Sequence, residues 1–139
     1  MLTVEEIIDF LENQIGCDRI QPDTDIFLDL GVVGDDFHEL VDLYSKIYNV
    51  DMTKYLWYFH TDEEGQNFGG IIYRPPKERV RRIPITPNML TMFANKGVWT
   101  IDYPKHTLPK RRYDLIINTI LVICILVLMA MMEISKCRN

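Results

Sequence analysis

Apolar residues recur along this chain at spacings that predict its elements one after another. Ile7, Ile8, Leu11 and Ile15 fall on one face of a helical spiral, Thr3 and Glu6 have capping-box spacing, and Gly16 can close the end. A first helix is therefore predicted over 4–15. Residues 17–33 read as a long loop whose Phe27, Leu28 and Leu30 must pack if it is to be ordered. A second helix begins near Asp35. At about 100° per residue Phe37, Leu40, Val41, Tyr44, Ile47 and Tyr48 share one side, and Asp35, Glu39 and Asp42 share the other. Asp36 and Glu39 have the spacing of a second capping box. Tyr55 to Phe59 predicts a short helix that His60 to Gly65 ends. Phe68 to Tyr73, with Gly69-Gly70 as a turn, and Ile83 to Ile85 predict short extended pieces around the Pro75-Pro76 stop. Thr86-Pro87 opens a helix over 87–96 that Gly97 closes, and residues 99–109 form a linker.

The pattern then changes. Leu115 to Met132 is an uninterrupted run of 18 uncharged residues, apolar all round, between Asp114 and Glu133. At about 1.5 Å per residue it reaches roughly 27 Å, close to the hydrocarbon thickness of a bilayer. It predicts one transmembrane helix. The expected organisation is a domain over 1–104, a basic juxtamembrane linker over 105–114, a span over 115–132 and a tail over 133–139. The expected fold is mainly α: a small helical bundle with minor extended segments, plus the C-terminal span.

Charge gives the span a direction. Lys105, Lys110, Arg111 and Arg112 precede it and only Lys136 and Arg138 follow, so the positive-inside rule puts the N-terminal domain in the cytoplasm of a single-pass membrane protein. The opening Thr3-Val4-Glu5-Glu6 is an acidic helix start rather than a secretory signal. Residues 1–64 hold 16 Asp and Glu against 3 Lys and Arg, while residues 65–139 hold 4 against 12. The acidic half argues against nucleic acid as a partner. The basic half, Arg74 to Arg82 with Lys110, Arg111 and Arg112, reads equally as a surface for anionic lipid headgroups and as a solvated loop.

Candidate chemistry is sparse. Cys17, Cys124 and Cys137 are far apart in sequence and support neither a disulfide framework nor a zinc site. His60, Asp62, Glu63 and Glu64 lie in one local run, read as a solvated helix end rather than a metal site. His38 and His106 fit no nucleophile and base pair. No catalytic residue, metal or cofactor is expected. The Asp35, Glu39 and Asp42 stripe reads equally as a recognition surface and as a solvated helix face.

A helix, a long loop, Asp29-Leu30-Gly31, and an acidic second helix holding Glu39-Leu40-Val41 resemble the acyl carrier proteins over residues 3–60. The resemblance implies a carrier-like bundle. In that family a serine at the start of the second helix bears the phosphopantetheine arm; an ungapped match puts Gly34 there, which has no oxygen to modify. Gly34-Asp35-Asp36, Trp57 to His60, Ile83 to Pro87 and Gly97-Val98-Trp99 are similar to a narrower group of small bacterial acyl-carrier-like proteins of unknown function. The function expected is a non-enzymatic, membrane-tethered interaction module of the bacterial inner membrane, docking a basic-surfaced cytoplasmic protein through Asp35, Glu39 and Asp42. The alternative is a membrane-surface protein that holds a lipid headgroup or metal with a catalytic role, using His60, Asp62 and the basic 74–82 segment.

Overall fold

The computed structural model describes residues 1–138; the side chains of Cys137 and Arg138, which entered the thiol and charge patterns, lie outside the described residues, as does Asn139. The elements in order are α1 (Val4–Ile15), α2 (Gly34–Ile47), a 3-10 turn (Trp57–Phe59), α3 (Gly69–Ile72), a second 3-10 turn (Pro76–Arg79), α4 (Pro87–Lys96) and α5 (Tyr113–Arg138). The fold is mainly α. Among the described residues the extended pairing is a single parallel bridge between Asp51 and Val98.

The chain makes two compact units, one of Met1–Glu64 with Val80–Lys105, the other of Gly65–Arg79 with the chain from His106 onward. Residues 65–79 thus belong to the unit of α5 rather than to that of α1, α2 and α4.

In the first unit, α1 carries its full capping box: Thr3 Oγ1 accepts from the Glu6 amide and the Glu6 carboxylate accepts from the Thr3 amide. Gly16, at φ 72°, closes it in the left-handed conformation that glycine adopts without strain. α4 repeats the logic with Thr86 as cap, Pro87 in the first turn and Gly97 at φ 68°. Ile7, Leu11, Phe37, Phe93 and Trp99 are fully buried between these helices, each contributing on the order of 2 kcal/mol by leaving water. Tyr44 donates from its hydroxyl to the Leu90 carbonyl at 2.6 Å, so a polar atom in the core is satisfied. Ile47, expected on the buried face of α2, is exposed instead. It is the last residue of α2, between Tyr44 and Tyr48, whose rings already close around Phe10. The long loop is ordered by packing and by ties to one distant segment. Ile20 and Ile26 are buried, the Ile26 amide donates to Ile85, and Arg82 forms a bidentate pair with Asp25 at 3.1 and 2.5 Å while lying over the Phe27 ring.

The second unit departs most from the sequence pattern. The predicted extended piece at 68–73 is the short helix α3, packed on α5. Gly69 is buried because a Cβ there would collide with the Asp114 backbone carbonyl, so the pair is a close helix contact and not the expected turn. Asp114, expected to flank the span, lies in the first turn of α5 and is 1% exposed. Its carboxylate accepts from Arg112 Nε at 3.0 Å, Arg112 Nη2 at 2.6 Å and Asn67 Nδ2 at 2.9 Å. Asn118 Oδ1 accepts from the Gly69 amide at 2.6 Å and its Nδ2 donates to Asn67 Oδ1 at 2.9 Å. The one amide in the apolar run is therefore satisfied within the protein. α5 is long and apolar enough to cross a membrane over Tyr113–Lys136, and residues 119–136 are all exposed. Helix continues as far as Arg138, into the stretch expected as a tail.

Candidate partner-docking site

α2 presents the acidic stripe as the sequence spacing places it: Asp35, Glu39 and Asp42 are exposed while Phe37, Leu40, Val41 and Tyr44 are buried. Asp42 pairs with Lys46 one turn on, at 2.5 Å, an exposed contact that contributes little. Beside the stripe opens a cleft of about 440 Å³ of mixed lining, with Ile15, Leu30, Val32, Leu40 and Leu43 beside Gln14, Asp36 and Glu39. Sequence spacing did not disclose it, because it forms between α1, α2 and the loop before α2.

The start of α2 is closed from a distance. The capping box expected from Asp36 and Glu39 is absent; Val33 is the cap residue and makes no side-chain hydrogen bond. The amide of Gly34 donates to Thr61 Oγ1 at 3.1 Å and that of Asp35 to Glu64 Oε1 at 3.3 Å. A helix start leaves such donors without partners, and here residues 61–64 supply the acceptors. Gly34 itself sits at φ 54°, and a Cβ there would collide with the Glu64 side chain. Replacing Gly34 by Ser is therefore expected to cost about 2 kcal/mol, from left-handed strain and loss of the Glu64 contact. Urea unfolding of the full chain in micelles, followed by Trp57 and Trp99 fluorescence, measures it; an unchanged midpoint would refute the conformational account of Gly34.

His60, expected at a solvated helix end, is 1% exposed, and Thr61 2%. Tyr103 reaches it from 43 residues away: its hydroxyl lies 2.7 Å from Nε2 and accepts from the Leu56 amide at 3.2 Å and Trp99 Nε1 at 2.9 Å. With both lone pairs taken, the hydroxyl proton goes to Nε2. Nδ1 then carries the imidazole proton and donates to the Ile83 carbonyl at 2.9 Å. Burial pushes the His60 pKa down to about 4, with the Arg82 charge adding to the fall and the Ile83 contact opposing it. Both ring nitrogens are thus engaged inside the protein, which leaves His60 no ligand position. Among the described residues no group of three or more His, Cys, Asp or Glu side chains is arranged to hold a metal ion.

The basic candidates divide. Lys110 and Arg111 are exposed, whereas Arg112 is spent on Asp114. Within 74–82, Arg82 is held by Asp25, and Arg79 stacks over Tyr73 at 4.8 Å while donating to the Arg74 carbonyl. Arg74 and Arg81 stay exposed.

No curated protein and no solved structure matches the chain. A family model does, over residues 2–102, which takes in α1 to α4 and stops before α5. By that match the chain belongs to the family described as "Protein of unknown function (DUF1493)".

Proposed function

We propose that this protein is a non-enzymatic, membrane-tethered, acyl-carrier-like interaction module without a prosthetic group, which docks a basic-surfaced cytoplasmic protein through Asp35, Glu39 and Asp42. The observation that carries the reading is the pairing of that exposed acidic stripe with the adjoining cleft, which Gln14, Asp36 and Glu39 line together with apolar side chains. Charge steers a basic partner to the face, and a cleft of this size can seat an apolar anchor side chain. Gly34 fits a module that carries nothing. It has no hydroxyl, and Glu64 occupies the space beside it. α5 is the tether, and Lys105, Lys110 and Arg111 ahead of it favour a bacterial inner-membrane protein with its N-terminal side cytoplasmic. Lys110 and Arg111 are the side chains placed to meet anionic headgroups.

Quantitative affinity capture from membranes of the native host tests the docking. Asp35→Lys/Glu39→Lys/Asp42→Lys is expected to lose the captured partner, while Glu5→Lys/Asp9→Lys, a control on exposed positions of α1, keeps it. A partner retained by the triple variant at wild-type yield would end the proposal.

A further inference from the structure

Three apolar side chains of the second unit have no protein cover. Phe68, Ile71 and Ile72 are 60%, 84% and 73% exposed, yet they project from a helix held by buried contacts. α3 is fixed to the first turns of α5 through Gly69 against Asp114, Asn67 to Asp114 and Asn118, and the Gly69 amide to Asn118. A mobile loop could hide its apolar residues. This one is built to keep them outward.

We infer that α3 is a membrane wedge: Phe68, Ile71 and Ile72 insert into the lipid beside the entry of α5, so that the bilayer itself covers this patch. The inference rests on α5 being the membrane tether. Three features of the unit make lipid the occupant. The patch sits on a helix packed against α5, whose Tyr113, Leu115 and Ile116, flanking Asp114, are likewise exposed. Backbone donors that would be costly in a lipid environment are satisfied internally: Gly69 by Asn118, Gly70 by Asn67, Ile71 by Phe68 and Tyr73 by Gly69. The flanking chemistry is that of a membrane boundary. Tyr73 and Tyr113 pack edge to face at 5.0 Å, Arg79 stacks on Tyr73, and Lys110 and Arg111 are exposed just before α5. Aromatic rings and basic groups in that association mark the headgroup level.

The wedge gives Asn118 a purpose. A lone amide in an apolar run is a cost to insertion; here it is the hook that holds α3 against the tether.

The test uses the full chain reconstituted in vesicles of phosphatidylcholine and phosphatidylglycerol, with a fluorescent amino acid at Ile71, Val122 or Met92, all exposed positions. Lipids brominated along the acyl chain quench only probes that enter the hydrocarbon. Emission is expected to be largely lost at Ile71 and at Val122 and unchanged at Met92, in the first unit. A probe at Ile71 that stays bright while Val122 is quenched overturns the wedge and leaves the tether intact. A probe at Val122 that stays bright overturns the tether and the wedge with it.

Discussion

Replacing Tyr103 by Phe is expected to destabilise the first unit by about 3 kcal/mol, far more than one lost hydroxyl suggests. The hydroxyl serves three groups at once: the Leu56 amide, Trp99 Nε1 and His60 Nε2. Trp99 and His60 are almost wholly buried, so their polar atoms cannot simply turn to solvent. Leaving a buried donor or acceptor unpaired costs about 1 kcal/mol or more each, and here two donors and one acceptor are stranded together. The ring of phenylalanine keeps the packing of Tyr103 on Phe59, so the loss isolates the hydroxyl. Urea unfolding of the full chain in micelles reads this through Trp57 and Trp99, both of which lie in this unit. A loss below about 1 kcal/mol would mean that water replaces the hydroxyl without penalty, and the three-way knot would not be a determinant of stability.

The second large effect is a pH dependence traceable to His60. Its folded pKa is about 4, against an ordinary histidine value of 6.5. The unfolded chain therefore takes up the proton first. His60 contributes its full stability above pH 6.5, loses it progressively as pH falls from 6.5 to 4, and has no more to lose below. The total is about 3 kcal/mol at 1.36 kcal/mol per decade of pKa. Geometry gives the same sign, because a proton on Nε2 would force the Tyr103 hydroxyl to turn and surrender one of its accepted hydrogen bonds. His60→Asn should be less stable at neutral pH and lack this slope. The many carboxylates of residues 1–64 titrate in both proteins, so the difference between the two profiles isolates the imidazole. Parallel profiles would show that His60 titrates in the folded chain as it does in the unfolded one, so that its burial does not depress its pKa.

The elements legible from sequence are those whose stop signals are local. α1 is specified by Thr3, Glu6 and Gly16, and α4 by Thr86, Pro87 and Gly97, all within or beside the helix they bound. The apolar run of α5 needs no partner to be recognised, and the acidic face of α2 follows from helical periodicity alone. The elements that escaped depend on groups far along the chain. Periodicity locates α2 but not its cap, which Thr61 and Glu64 supply from 27 and 29 residues away. His60 looks solvated beside Asp62 and Glu63, but Ile83 and Tyr103 bury it from 23 and 43 residues downstream. α3 is four residues long, too short for a periodicity, and its anchor Asn118 lies 49 residues beyond Gly69. Alternation and spacing report only what neighbours in sequence share. The cleft beside α2 belongs to the same class, since three segments must meet before it exists.

The division of the chain at Gly65, Val80 and His106 has a topological consequence. Residues 65–79 are covalently part of everything N-terminal to the linker, yet they belong to the unit of α5. A protease that cuts the exposed stretch around residues 105–107 breaks the covalent path to α5 without removing the other attachment. The released fragment still contains Asn67 and Gly69, which hold Asp114 and Asn118 by hydrogen bonds and close packing. On the proposed membrane reading, shedding the first unit therefore takes a second event, the undocking of α3, and a nick in the linker by itself turns a covalent attachment to α5 into a reversible one.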